Sequence, residues 1–273
     1  MTQNPFLISP QDLAAVIGRD GVSIVDASWY LPAQNRFAKA EYDAGHVPGA
    51  VFFDQDDIVD PASSLPHTLP PADVFAEKVG ALGISDTDTI VVYDGMGLFS
   101  APRVWWMFRT FGAKDVRVLD GGWAAWLAGG GAVETGPVDP APGGFTARPG
   151  RMPVVELDGV LDVDVLVDAR APERYRGEAE PMDPVAGRVP GAVNVPTTTN
   201  LTSAGTFRDA ATLRALYAAE GVEPGADVAA YCGSGVTACH DVLAMEVAGI
   251  RAALYPGSWS EWSADPTRPV ERG

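Results

Sequence analysis

Cys232 heads the run Cys232-Gly233-Ser234-Gly235-Val236-Thr237-Ala238, between an apolar stretch and a segment of helical periodicity. The stretch before it, 227–231, is short, apolar and bounded by Gly225, which predicts a buried strand. After it, Val242, Met245 and Glu246 fall at helical spacing and Gly249 supplies a C-cap, which predicts a helix from Thr237 to Ala248. A thiol placed there, among permissive glycines and ahead of a helix N-terminus, can be ringed by backbone N–H groups. Such a ring favours a thiolate over a thiol. Two readings compete: a nucleophile in an anion-stabilising cradle built from Gly233 to Thr237, or a small buried packing thiol. Paired glycines directly after a strand give up packing surface, which favours the nucleophile. Phosphate chemistry on a loop of this kind needs an arginine six residues after the cysteine to clamp the anion, and Ala238 stands there.

The rest of the composition narrows the setting. With 273 residues, 47% hydrophobic and 20% charged, the chain can form two globular domains. No secretory leader and no run of about 20 apolar residues is visible, so a cytoplasmic protein without a membrane span is expected. A net charge of −17 argues against nucleic acid and anionic membranes as partners. It also means that an anionic substrate must be met by local positive charge. Cys239 is expected to be a packing residue on the helix after the loop. His46, His67 and His240 show no ligand-like spacing, so neither a metal nor any other cofactor is expected.

The two halves repeat each other. Ile24-Val25-Asp26-Ala27 recurs as Leu166-Val167-Asp168-Ala169, and Gly45-His46-Val47-Pro48-Gly49-Ala50 as Gly187-Arg188-Val189-Pro190-Gly191-Ala192. Ile90 to Gly95 matches Val228 to Gly233, and Leu119 to Trp126 matches Tyr255 to Trp262, in the same order. A duplicated domain follows. Within the first copy, strands at 22–27, 50–53, 89–93 and 115–119 alternate with helices opening at a Ser9-Pro10-Gln11-Asp12 capping box and at about 36, 71, 100 and 122. Short apolar strands alternating with helices predict an α/β fold, each copy a mostly parallel sheet flanked by helices. The expected boundaries are 1–131, a Pro/Gly-rich linker at 132–153, and 154–273.

The copies differ where chemistry would occur. Asp94 stands at the position of Cys232, so the N-terminal copy is expected to be inactive and to shape a cleft over the C-terminal loop. His46 and Arg188 occupy equivalent turns. Each is either a structural turn residue or a side chain facing Cys232.

The duplicated halves, the 232–238 loop, the Gly-His-Val-Pro-Gly-Ala turn at 45–50 and Pro-Gly-Ser-Trp-Ser-Glu-Trp at 256–262 together resemble the two-domain rhodanese superfamily. The loop is most similar to that of its mercaptopyruvate-using members. The resemblance implies a sulfurtransferase that passes a sulfane sulfur from 3-mercaptopyruvate through a Cys232 persulfide to a thiol or cyanide, with release of pyruvate. Thioredoxin or a low-molecular-weight thiol is the implied acceptor. Ser234 would relay a proton to the departing enolate, with His46 behind it, and Thr237 would cap the helix with its hydroxyl near the sulfur. Arg174 corresponds to the first carboxylate-binding arginine of the family. The second has no counterpart, its place falling at Met182 or Asp183, and Arg176 or Arg188 would have to compensate. Arg188 could instead pair with Asp94. The competing functions are a thiosulfate:cyanide sulfurtransferase and a persulfide carrier that does not turn over small donors.

Overall fold

The computed structural model describes residues 4–273. The chain divides into two compact units. The first takes the chain up to Pro61, Leu69–Arg151 and Ser203–Thr206; the second takes Ala62–Thr68, Met152–Thr202 and Phe207–Gly273. The division differs from the expected boundaries in two ways. Most of the Pro/Gly-rich stretch belongs to the first unit, and each unit includes one short segment from outside its expected bounds, Ala62–Thr68 in the second and Ser203–Thr206 in the first.

In the first unit the elements are β1 (Leu7–Ile8), α1 (Pro10–Ala14), β2 (Val22–Asp26), α2 (Ala38–Ala44), β3 (Ala50–Phe52), α3 (Ala72–Ala81), β4 (Thr89–Tyr93), α4 (Ala101–Thr110), β5 (Asp115–Leu119) and α5 (Gly122–Ala128). The sheet order is β1-β5-β4-β2-β3, with every pairing parallel. Strand β4 reads Thr-Ile-Val-Val-Tyr without alternation, as a strand covered on both faces must. Ser9 caps α1 by accepting from the Asp12 amide at 3.1 Å. Trp105, Trp106, Met107 and Phe108 of α4 are all buried, and Phe108 packs on Phe53, Phe75 and Phe145. Burying one such ring contributes about 2–3 kcal/mol, so packing rather than helix propensity fixes α4. Phe145 lies in the Pro/Gly-rich stretch. Backbone bonds from Gly136 to Asp43, Gly143 to Gly80 and Arg148 to Phe111 tie that stretch down as a strap.

The second unit contains β6 (Val165–Asp168), α6 (Pro172–Tyr175), β7 (Val193–Asn194), α7 (Ala210–Ala219), β8 (Val228–Tyr231), α8 (Ala238–Ala248), β9 (Ala253–Leu254) and α9 (Ser258–Ala264). Its parallel order is β7-β6-β8-β9. Val154 bridges Leu254 in parallel, where the first unit has β1 beside β5. The topology is therefore the same in both units. A matching detail supports this: the Tyr93 hydroxyl accepts from the Val47 amide, and the Tyr231 hydroxyl from the Val189 amide. Leu166, Ala229, Tyr231, Tyr255, Trp259 and Trp262 centre the second core. In a parallel sheet of this kind the loops at the carboxyl ends of central strands face the ligand side. Cys232 follows central strand β8.

Candidate active site

The Cys232 loop is clamped from behind by the start of α9. The Cys232 amide donates to Ser258 Oγ at 3.1 Å, the Cys232 carbonyl accepts from the Trp259 amide at 3.1 Å, and the Gly233 carbonyl from the Ser260 amide at 2.9 Å. Ser258 adopts a left-handed φ of 55°, a strain on the order of 1 kcal/mol that the surrounding bonds hold in place. Gly235 has φ +81°, and a Cβ there would lie 2.5 Å from the Pro256 carbonyl oxygen. Only glycine permits that approach. Cys232 is 2% exposed, at the floor of the loop, while Gly233 and Ser234 are half-buried and Val236 is buried.

The corresponding loop of the first unit, one residue longer between its strand and its helix, holds an anion of its own. Asp94 is fully buried, and its Oδ1 accepts from the amides of Met96 at 3.0 Å and Leu98 at 2.9 Å. Its Oδ2 accepts from Ser100 at 2.9 Å and Ala101 at 2.8 Å. Four amides converge on one carboxylate, so the cradle is an anion receptor filled by its own side chain. The Asp94 carbonyl accepts from the Trp123 amide at 2.9 Å, just as the Cys232 carbonyl accepts from Trp259. A carboxylate fixed in this way offers no thiol to carry sulfur.

Ser234 Oγ lies 2.8 Å from Nδ1 of His67. His67 belongs to the Ala62–Thr68 segment of the second unit and has a left-handed φ of 54°. Sequence reading missed this residue. It sits in a non-periodic Ser/Pro-rich loop 167 positions from its partner, and its only signal was being one of three histidines.

Arg174, on the last turn of α6, comes to the front of the loop: Nη1 and Nη2 both lie 3.5 Å from where a Gly233 Cβ would be. Its Nε and Nη2 donate to Glu180 at 3.1 and 2.6 Å, and Nη2 also reaches Asp183 at 3.3 Å. Nη1 makes no hydrogen bond among the described residues and faces the loop. Burial pushes the Asp183 carboxyl above its ordinary range, helped by the nearby Glu180 and opposed by the Ser260 hydrogen bond.

Other expectations are corrected. His46 is completely enclosed in the first unit, where it stacks on Tyr42 with ring centroids 4.1 Å apart and its Nδ1 lies 2.8 Å from the Tyr42 carbonyl. It is a turn residue, and the imidazole behind Ser234 is that of His67. Arg188 is likewise structural. Its guanidinium pairs with Glu271, donates to the Gly273 carbonyl at 2.6 Å and lies 4.3 Å over the Tyr175 ring, pinning the C-terminal segment. Arg188 pairs with Glu271, and the Asp94 carboxylate is held by amides instead. Arg176 is exposed and pairs with Glu178. Thr237 occupies the N-cap position of α8 but makes no side-chain capping bond. Cys239 is buried, its Sγ 3.3 Å from the Gly235 carbonyl.

Two copies of one parallel α/β domain, with a cysteine after the central strand in the second and an amide-bound aspartate at the matching place in the first, define a tandem rhodanese-type protein. The rhodanese-like domain model matches residues 9–129 and 155–265, and the chain belongs to that family. It is 40% identical to 3-mercaptopyruvate sulfurtransferase of Rattus norvegicus, over 92% of this chain and 89% of the rat protein. It is 42% identical to thiosulfate sulfurtransferase of Bos taurus, over 93% and 89%. The crystal structure of SseA from Escherichia coli, described among 3-mercaptopyruvate sulfotransferases, matches with a TM-score of 0.85 and 36% identity, covering 94% of this chain and 99% of SseA. No helix among the described residues is long and apolar enough to cross a membrane.

Proposed function

We propose that this chain is a sulfurtransferase that takes sulfur from 3-mercaptopyruvate onto Cys232 and hands it to a thiol or to cyanide. The Cys232 thiolate attacks the donor's sulfur, forming an S–S bond as the donor's C–S bond breaks. The electrons of that bond go to pyruvate enolate, which must gain a proton at carbon. Ser234 supplies it from its hydroxyl and recovers one from His67 Nδ1. The terminal sulfur of the persulfide is anionic, and the amides of the loop match it as those around Asp94 match a carboxylate. Arg174 Nη1 meets the donor's carboxylate. Attack by an acceptor thiol on the outer sulfur then regenerates Cys232. We assign thioredoxin or a small thiol as acceptor and the reducing cytoplasm as compartment, in keeping with two free cysteines.

The observation that carries the choice of donor is the Ser234–His67 bond in the Cys232 loop, because an enolate leaving group needs a proton and sulfite does not. Thiosulfate is the second reading, favoured by 42% identity to the bovine thiosulfate sulfurtransferase against 40% to the rat mercaptopyruvate enzyme. Intact-mass measurement of the protein after each donor tests both readings. Cys232 should gain one sulfur atom with mercaptopyruvate, faster than with thiosulfate, and Cys232→Ser should gain none. Faster loading by thiosulfate would reverse the assignment. A Cys232 that arrives persulfidated yet loads from neither donor would make the chain a carrier.

A further inference from the structure

The front of the Cys232 loop carries more acid than base. Asp168 and Glu180 bind Arg170, while Glu180 and Asp183 bind Arg174, and none of these five side chains is more than 19% exposed. Two guanidinium groups therefore face three carboxyl groups.

Those carboxyl groups are not equally engaged. Glu180 Oε1 accepts from Arg174 Nη2 at 2.6 Å and from the amides of Met182 at 3.1 Å and Asp183 at 3.3 Å. Its Oε2 accepts from Arg174 Nε at 3.1 Å and Arg170 Nη1 at 3.3 Å. Glu180 is thus a fixed clasp that orients Arg174. Asp168 is bound on both oxygens by Arg170. Asp183 has a close bond only to Ser260 Oγ, at 2.7 Å, and a long one of 3.3 Å to Arg174 Nη2. The amide of Ser260 is itself bound to Gly233, so Asp183 is tethered to the sulfur loop.

We propose that Asp183 determines donor selectivity: its carboxylate already takes part of the Arg174 guanidinium that a donor anion needs, which weakens every anionic donor and a dianion most. The idea rests on the sulfur-donor reading above. Burial of Asp183 makes its charge felt through a medium less screened than water. Met182, 51% exposed beside it, adds no compensating cation.

The test compares alkylation of Cys232 by anionic iodoacetate and neutral iodoacetamide, read by mass spectrometry with Cys232→Ser as blank. Asp183→Asn should raise the iodoacetate-to-iodoacetamide rate ratio roughly three- to tenfold. Met182→Arg, at an exposed position that tolerates a long side chain, should raise it in the same direction by placing a cation beside Asp183. In donor assays Asp183→Asn should raise kcat/KM for thiosulfate more than for mercaptopyruvate. An alkylation ratio unmoved in Asp183→Asn overturns the proposal whatever Met182→Arg or the donors do. A ratio that rises in a protein turning over neither donor supports the role of Asp183 in the local field and overturns the sulfur-donor reading instead.

Discussion

Nδ1 of His67 lies 2.8 Å from Oγ of Ser234, two residues after Cys232, joining two residues 167 positions apart. A hydroxyl alone is a poor proton source near neutrality; one backed by an imidazole that can refill it is a relay.

His67→Gln should therefore lower kcat for mercaptopyruvate by about 10²- to 10³-fold, measured as pyruvate release. Ser234→Ala should give a loss of similar size, and the double variant little more than either alone, because the pair acts as one unit. Loading from thiosulfate, with sulfite as the leaving group, should change much less. Equal losses with both donors would remove the relay.

Arg174→Ala should raise KM for mercaptopyruvate about 10- to 100-fold with a smaller effect on kcat, since it deletes a charge-assisted contact to the donor's unreacting end. Arg174→Lys should recover only part, because an ammonium cannot keep the two-point hold on Glu180 while meeting a donor. Steady-state kinetics with pyruvate detection would show both.

His46→Ala should act on stability and not on turnover. Its ring is fully enclosed against Tyr42, so truncation should cost about 1–3 kcal/mol in a denaturant titration. Turnover per folded molecule should stay at the wild-type level. A specific loss of kcat would restore His46 to the site.

Asp241 gives a pH test. It is fully buried on α8, with its Oδ1 accepting from Asn200 Nδ2 at 2.8 Å. Burial pushes its carboxyl well above the ordinary 3.8, so the folded chain keeps a proton that the unfolded chain releases. The stability from this group is whole below that ordinary value and is lost as pH rises through the folded value. Asp241→Asn has no such term. Its melting temperature relative to wild type should climb from about pH 4 upward, and a difference that stays flat with pH would show that Asp241 does not titrate in this way.

The α/β class, the duplication, the mostly parallel pairing and the cysteine loop were legible in the sequence because each is written in short segments. Strand–helix alternation is written in periodicity, and the repeat in matched segments such as 24–27 and 166–169. Cys232, Gly235 and the α8 boundary at Gly249 follow from backbone rules that act over a few residues. The Asp94 substitution marked which copy lacks the thiol. Only the tertiary structure decided between histidines, because His46 and His67 differ in burial and long-range contact, not in local pattern. It also decided the fate of the cations: Arg188 is held by the Glu271–Gly273 segment and Arg174 is half-neutralised by Glu180 and Asp183, pairings that span loops whose paths no periodicity encodes. Local chemistry fixed what could react, and long-range packing fixed what surrounds it.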